Sequence, residues 1–309
     1  MTATPPFHDR RLTEQRNPRT ERIDEASSLE IVDLMHAEDT IVPQAVHAVR
    51  EPIARAIDLI VAAFQAGGRL VYVGAGTSGR LGVLDAAECP PTFGTPPELV
   101  VGVIAGGYPA LVKSAEGAED DINAGMAAMD TARVSAADVV VGIAASGTTP
   151  YVRAALSRAQ TIGAKTVIVS CSPPPKLMLD TCDVAIAPVV GPEALTGSTR
   201  LKAGTATKLV LNTLSTGAMI RTGRAYGNLM VDLMGLSEKL VDRGERIVME
   251  ASGVDRTRAR AAIDAAGGSV KLALVMVKAG VGKDEAARRL ADAGGLVRRA
   301  VGDPPPVHT

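Results

Sequence analysis

The chain has 309 residues, enough for one substantial α/β domain with smaller appendages. Acidic and basic residues nearly balance, at a formal net charge of −1, so the composition does not predict a basic surface that would bind nucleic acid or an anionic membrane. Four tyrosines, three phenylalanines and no tryptophan leave few platforms on which bases could stack. These features favour a protein that acts on a small molecule.

The cysteines Cys89, Cys171 and Cys182 have neither C-x-x-C spacing nor a neighbouring histidine cluster. We therefore expect no disulfide framework and no metal site. The N-terminus lacks an apolar signal segment, and no apolar run approaches the roughly 18 residues of a membrane helix. A reduced, cytoplasmic protein without a membrane partner is the expectation.

Residues 1 to about 25 are polar and contain three prolines, which predicts an irregular arm, with a disordered tail as the alternative. From residue 27 to 65, apolar side chains recur at helical spacing, which predicts two or three helices. After about residue 240, three short helices are predicted at residues 254–263, 269–278 and 283–290.

Between these regions, short apolar runs alternate with helical stretches. Continuous apolar strands separated by helices indicate a parallel sheet covered on both faces. We therefore expect an α/β fold with a doubly wound parallel sheet of at least five strands. The predicted strands are residues 70–73, 99–104, 139–143, 166–170 and 184–187.

The first predicted strand ends in a glycine turn with two hydroxyl groups, formed by Gly76, Thr77 and Ser78. A helix is predicted from residue 79, so the turn offers unpaired backbone N–H groups and the positive end of a helix dipole. A phosphate fits such a position.

The same stretch satisfies G-x-G-x-x-G through Gly74, Gly76 and Gly79, a pattern also typical of dinucleotide-binding turns. That function requires an acidic residue at the end of the second strand, where residues 105–107 are Ala-Gly-Gly. A glycine turn that serves only the tight packing of a helix on a strand is a further alternative.

A second turn of this kind follows the third predicted strand and contains Ser146, Gly147, Thr148 and Thr149, with Pro150 at the favoured first position of a helix. Helix capping would explain one hydroxyl here. Two such turns after strands of one sheet favour a phosphorylated ligand.

A third segment, residues 191–202, leads into a long predicted helix that is rich in small residues. We expect Glu193, Ser198 and Lys202 of this segment to bind the ligand together with the residues of the two turns. For the long helix, above all beyond Lys208, a core helix without contact to a ligand is the alternative.

No histidine lies in the predicted sheet core, so carboxylates are the acid–base groups available there. Glu88 lies at the end of the helix after the first turn, because Pro90 and Pro91 predict that this helix stops. Glu119 belongs to an acidic run, which by itself is more typical of a solvated helix face.

The stretches 74–84, 85–94, 116–119, 144–152 and 191–208 together resemble the N-acetylmuramic acid 6-phosphate etherases of the sugar isomerase (SIS) superfamily, and the resemblance covers nearly the whole chain. It implies the SIS fold, a homodimer, and no metal or other cofactor. It also implies cleavage of the D-lactyl ether of N-acetylmuramic acid 6-phosphate to N-acetylglucosamine 6-phosphate and D-lactate in peptidoglycan recycling. By this resemblance Glu88 is the acid that assists lactate departure, and Glu119 is the second catalytic carboxylate.

Two other functions share these motifs. An aldose–ketose isomerase of sugar phosphates usually benefits from a ring-opening histidine, which this core lacks. A non-catalytic sensor similar to the glucokinase regulatory protein is disfavoured because both glutamates are present. The domains expected are residues 1–50 (arm and helices), 51–238 (SIS catalytic domain) and 239–309 (a small helical domain, ubiquitin-associated-like by resemblance, and the tail).

Overall fold

The computed structural model describes residues 11–232 and 238–303. They cluster into two compact units, one within Met1–Ala87 and Glu98–Ser215, the other within Glu88–Pro97 and Thr216–Thr309. The domain boundaries expected at residues 50 and 238 stay a prediction.

The first unit is built on a five-stranded parallel sheet. Its strands are rich in valine and isoleucine, which suit a sheet buried on both faces. The strands are β1 (Leu70–Gly74), β2 (Val100–Ile104), β3 (Val139–Ile143), β4 (Lys165–Val169) and β5 (Val184–Ile186). Their order is β2-β1-β3-β4-β5. The expected doubly wound α/β sheet is confirmed, and each predicted strand overlaps an observed one.

The direction in which strands are added reverses at β1. From β1 the chain moves to one edge at β2, and it then returns to place β3 on the other side of β1, with Gly74 opposite Ile143. Neighbouring strands lie about 4.8 Å apart, so the turns that follow β1 and β3 begin side by side. Ligands of open α/β sheets bind at such a point, beyond the carboxyl ends of the strands.

Helices cover this sheet and precede it. Three of them lie before β1, as the apolar spacing predicts. The helices that begin in the first unit are α1 (Ser28–Asp39), α2 (Val42–Ala48), α3 (Arg50–Gln65), α4 (Gly76–Phe93), α5 (Ile122–Thr131), α6 (Pro150–Ile162), α7 (Lys176–Leu179) and α8 (Lys202–Arg221). Between α5, α6 and the sheet, Met129, Val140 and Leu156 belong to one buried apolar cluster.

Helix α4 differs from the prediction at both ends. It begins at Gly76 rather than at residue 79, so Thr77 and Ser78 lie in its first turn. It continues through Pro90 and Pro91 to Phe93, so the stop predicted at the double proline is wrong. The fixed φ of proline is itself helical, although each proline lacks the N–H that would donate to the carbonyl four residues before it. The helix ends before Gly94, whose φ of 60° is typical of a helix C-terminus.

Residues 11–25 form an ordered arm that contacts the loop before α8. The Asn17 side chain donates a hydrogen bond to the Pro192 carbonyl at 3.2 Å, and the Thr20 hydroxyl donates to the Ala194 carbonyl at 2.8 Å. Asn17 and Thr20 are both buried. The disordered-tail alternative therefore does not hold for this part of the arm.

A buried ion cluster also joins the arm to α8. Glu38, near the end of α1, accepts hydrogen bonds from Arg19 Nε at 2.5 Å and Nη2 at 2.9 Å, and it pairs with the ammonium of Lys202. The side chains of Glu38 and Lys202 are 1% exposed, whereas Arg19 is 57% exposed. Burial alone would raise the pKa of Glu38, but the hydrogen bonds from Arg19 and Lys202 lower it to about 2.

The second unit contains a short hairpin and a group of helices. Val248, Leu274 and Ala286 are fully buried in its apolar core. The hairpin consists of β6 (Ala225–Tyr226) and β7 (Leu229–Met230), and the helices are α9 (Glu238–Ser252), α10 (Arg256–Ala265), α11 (Val270–Ala279), α12 (Lys283–Asp292) and α13 (Val297–Ala300). Helices α10 to α12 confirm the predicted three-helix module, while its likeness to a ubiquitin-associated domain stays a prediction.

Arg19 should stabilise the fold only while Glu38 is ionised. Because the folded-state pKa of Glu38 is lowered from 4.5 to about 2, its contribution is complete above the unfolded value and is lost as the pH falls toward 2. We expect Arg19→Ala to lower the free energy of unfolding by roughly 1–2 kcal/mol at neutral pH, and by progressively less in acid.

Urea unfolding of both proteins at several pH values measures this difference. Arg22→Ala is the matched control, because Arg22 lies in the same arm and its pair with Glu25 is exposed. A difference between wild type and Arg19→Ala that stays constant down to about pH 3 would contradict the expectation.

Candidate active site

The turn after β1 combines close packing with an open face. A Cβ atom at Gly79 would lie 2.7 Å from the Gly74 carbonyl oxygen and from Ile104 Cγ1, so Gly79 is required for α4 to approach the sheet. A Cβ atom at Gly76 would meet nothing within 4 Å, and glycine is favoured there by a φ of 52°. Packing therefore explains Gly74 and Gly79, while the space above Gly76 stays open.

A cavity of about 120 Å³ lies beside this turn. It brings Gly76 together with Glu119, one of the two carboxylates expected to be catalytic. The cavity is lined by Ala75, Gly76, Arg80, Ala105, Ala110 and residues 114–119. Thr77 and Ser78, the hydroxyl residues of the turn, are half-buried in the first turn of α4.

Arg80 is a residue of this cavity that the sequence reasoning missed. Its Nε donates a hydrogen bond to the Leu111 carbonyl at 3.0 Å, which ties α4 to the segment after β2. Residues four apart on a helix share a face, so the spacing from Gly76 to Arg80 carried the signal. A helix that begins at residue 79 does not contain Gly76, so the predicted helix start conceals this spacing.

The turn after β3 holds its hydroxyl groups in a local network. Ser146 Oγ and Thr148 Oγ1 are 2.9 Å apart, and the Thr148 N–H donates to Ser146 Oγ at 3.3 Å. Gly147 between them has a φ of 75°. Thr149 is the N-cap residue of α6, but its side chain makes no capping hydrogen bond. Capping therefore does not account for the Thr149 hydroxyl.

The backbone of Glu119 is fixed between two helices. Its carbonyl accepts a hydrogen bond at 3.0 Å from the N–H of Tyr151, in the first turn of α6. Asp121 caps α5 by accepting from the Ala124 N–H at 2.8 Å. The Glu119 side chain remains exposed. The loop with Glu119 is thereby attached to the helix that follows the Ser146–Thr149 turn.

Glu193 and Lys202 are buried at the start of α8. The two carboxylate oxygens of Glu193 accept hydrogen bonds from the N–H groups of Lys202 at 3.0 Å and Ala203 at 2.9 Å. Burial raises the pKa of Glu193, and these hydrogen bonds act in the opposite direction. Lys202 pairs with Glu38, as described above. Ser198, also expected in the site, is half-buried in the loop before α8.

Glu88 belongs to the second unit, at an exposed position of α4. The cavity of the first unit therefore contains Glu119 but not Glu88. A role for Glu88 stays a prediction.

A buried carboxylate in the same helix, Asp85, was also missed. It accepts hydrogen bonds from the Tyr72 hydroxyl at 2.8 Å and the Ser215 hydroxyl at 3.2 Å. Burial raises its pKa above the ordinary value, although these hydrogen bonds lower it. Asp85 thus links α4 to β1 and α8 beneath the turn, a role that only the tertiary contacts reveal.

Two further findings concern ions and membranes. Among residues 11–232 and 238–303, no group of three or more His, Cys, Asp or Glu side chains could hold a metal ion. Within the same ranges, no helix combines the length and the apolar character needed to cross a membrane.

Comparison with known proteins identifies the family. The N-acetylmuramic acid 6-phosphate etherase of Serratia proteamaculans (strain 568) is 54% identical over 290 residues, which are 94% of this chain and 97% of that protein. This chain belongs to the N-acetylmuramic acid 6-phosphate etherase family. The etherase of Rhizobium rhizogenes (strain K84) is 53% identical over 94% of each chain.

Two other similarities were found. The family model of the glucokinase regulatory protein N-terminal SIS domain matches residues 52–160, a range that contains both hydroxyl-bearing turns. The solved structure of a phosphoheptose isomerase from Neisseria gonorrhoeae has a TM-score of 0.46 and 18% identity, and covers 62% of this chain and 97% of its own.

The turn after β3 should contribute to phosphate binding. Ser146→Ala removes the hydroxyl that organises Thr148, so we expect a dissociation constant for inorganic phosphate raised about three- to tenfold, the value of one ordinary hydrogen bond. Isothermal titration calorimetry measures it. Thr161→Ala is the control, because that hydroxyl bonds within α6, away from the turn. Equal phosphate affinity in wild type and Ser146→Ala would contradict a role for this turn.

Proposed function

We propose that this chain uses water to cleave the D-lactyl ether of N-acetylmuramic acid 6-phosphate, giving N-acetylglucosamine 6-phosphate and D-lactate for peptidoglycan recycling. The observation that carries the assignment is 54% identity to a named etherase over 94% of the chain. The cavity lined by Gly76, Arg80 and Glu119 supports it, because a glutamate and the first turn of α4 both line this cavity.

The 6-phosphate would lie between the two turns. Gly76, Thr77 and Ser78 offer backbone N–H groups and hydroxyls at the start of α4, and Ser146, Thr148 and Thr149 offer hydroxyls at the start of α6. Both helix dipoles present their positive ends there, which favours an anion. Arg80 adds a guanidinium to the cavity beside the first turn, and Ser198 is a further candidate ligand from the loop before α8.

The chemistry requires two carboxyl groups in different protonation states. In the open-chain sugar, the aldehyde acidifies the proton at C2, and a carboxylate removes it. A second carboxyl group protonates the ether oxygen as the bond from that oxygen to C3 breaks, which releases D-lactate. Water then adds at C3 of the unsaturated intermediate, and a proton returns to C2. We assign the carboxylate at C2 to Glu119 and the acid at the ether oxygen to Glu88.

We assign Glu193 and Lys202 a positioning role. Their charged groups are buried and hydrogen-bonded inside the protein, so contact with a substrate would require both to leave these partners. Leaving one member of a buried ion pair without its partner is strongly unfavourable. These residues therefore contribute to substrate binding indirectly, by fixing the first turn of α8.

The reaction consists of proton transfers and the breaking and making of carbon–oxygen bonds, so these steps require no redox cofactor. We further propose a homodimer, by analogy with the family, and a cytoplasmic location. The location is supported by the cysteines: among the described residues Cys89, Cys171 and Cys182 form no disulfide. Burial raises the pKa of Cys171 to about 12, so that thiol stays protonated at neutral pH.

Product release tests the activity. Purified protein incubated with N-acetylmuramic acid 6-phosphate should release D-lactate. Glu88→Gln and Glu119→Gln should each lower kcat by about 10²- to 10⁴-fold, the usual contribution of a general acid or base. Glu98→Gln, an exposed glutamate of the first unit outside the cavity, is the control and should leave kcat unchanged.

Isotope labelling tests the chemical route. In ¹⁸O-labelled water, the label should enter C3 of N-acetylglucosamine 6-phosphate and be absent from the lactate. In deuterated water, deuterium should appear at C2. Binding of the sugar phosphate without lactate release would instead indicate a sensor, and conversion between aldose and ketose would indicate an isomerase.

A further inference from the structure

The first turn of α8 supports both hydroxyl-bearing turns. A Cβ atom at Gly204 would lie 3.8 Å from Thr77 Cγ2, so this turn of α8 lies directly against the turn after β1. On its other side, the Ala203 carbonyl accepts a hydrogen bond from Cys171 Sγ at 3.4 Å. The Cys171 N–H in turn donates to the Ala145 carbonyl, next to the turn after β3, at 2.9 Å. A displacement of this part of α8 would therefore affect both turns.

The position of that first turn is set by charges that come from outside the sheet. Glu193 binds two of its N–H groups, and Lys202, its first residue, pairs with Glu38 at the end of α1. Because Glu38 and Lys202 are each 1% exposed, water screens their attraction little. The end of α1 and the start of α8 are therefore firmly connected.

The arm adds the second cation to this pair. Arg19 binds both carboxylate oxygens of Glu38 through Nε and Nη2, the two-bond geometry that a guanidinium favours with a carboxylate. The hydrogen bonds of Asn17 and Thr20 hold the arm to the loop at Pro192 and Ala194, on either side of Glu193. The arm thus contacts both the ion pair and the loop that fix α8.

Arg19 differs from the other two members of the cluster in its exposure. Its side chain is 57% exposed, so Arg19→Ala leaves no buried cation without a partner, and Glu38 keeps Lys202. A variant at Arg19 can therefore fold while the orientation of the Glu38 carboxylate changes. Removal of Glu38 or Lys202 would instead leave an uncompensated buried charge.

We propose that Arg19 is a positioning residue of the sugar-phosphate site, which acts through Glu38 and Lys202 on the first turn of α8 and so sets the spacing of the two turns. The inference rests on one part of the proposed function, namely that these turns bind the 6-phosphate. It assigns the arm a role in substrate affinity in addition to stability.

The test compares the full-length wild type with Arg19→Ala, Arg19→Lys and Arg22→Ala. The phosphate turns contribute binding that is shared by substrate and transition state, so Arg19→Ala should raise KM for D-lactate release about three- to tenfold at nearly unchanged kcat. Inorganic phosphate should bind to Arg19→Ala more weakly by a similar factor. Arg19→Lys, which keeps the charge but not the two-bond geometry, should lie between wild type and Arg19→Ala. Arg22→Ala should match wild type.

A purely structural arm gives a different result. Arg19→Ala would then have a lower melting temperature, while KM and the phosphate affinity of the folded protein stayed at the wild-type values, and this would overturn the proposal. Equal effects of Arg19→Ala and Arg22→Ala on KM would also overturn it. If the wild type itself releases no lactate and binds no phosphate, the proposed function is wrong. If the wild type is active and Arg19→Ala has the same KM and the same phosphate affinity, the proposed function stands and the positioning role of Arg19 is wrong.

Discussion

The pairing of β1 with β3 is the constraint on which the site depends. Because Gly74 lies opposite Ile143, the turns after these strands must begin at the same edge of the sheet, and the helices after them start there too. Two helix N-termini with hydroxyl side chains therefore converge, although about 70 residues separate them in the chain. The close approach of Gly79 to Gly74 holds α4 in the position that this convergence requires.

Around these turns the protein uses buried polar groups as supports. Glu193 caps α8, Glu38 joins Lys202 to the arm, and Asp85 links α4 to α8 through the Ser215 hydroxyl. Burying such groups is unfavourable unless each has a partner, so they fix the relative positions of their elements more strictly than apolar contacts would. The irregular arm is held in this way, by Arg19 on Glu38 and by Asn17 and Thr20 on the loop before α8.

The two carboxylates assigned to catalysis occupy different surroundings. Glu119 lies in a loop whose backbone is bound to α6, and this residue lines a cavity beside Gly76. Glu88 lies on an exposed position of α4 in the second unit. The elimination requires one carboxyl group to act as a base and another as an acid.

The sequence by itself determined the five strands, the parallel sheet, the two hydroxyl-bearing turns and the family. Each of these depends on a local pattern, namely apolar runs, glycines in turns and short sequence motifs. The sequence misjudged the length of α4, because the helix continues through Pro90 and Pro91, whose φ is compatible with a helix. Only the tertiary structure decided that Arg80 and Glu119 line one cavity and that Lys202 pairs with Glu38. Glu38 and Lys202 are 164 residues apart in the chain, and no local pattern specifies which buried charge meets which. That choice follows from how the helices pack.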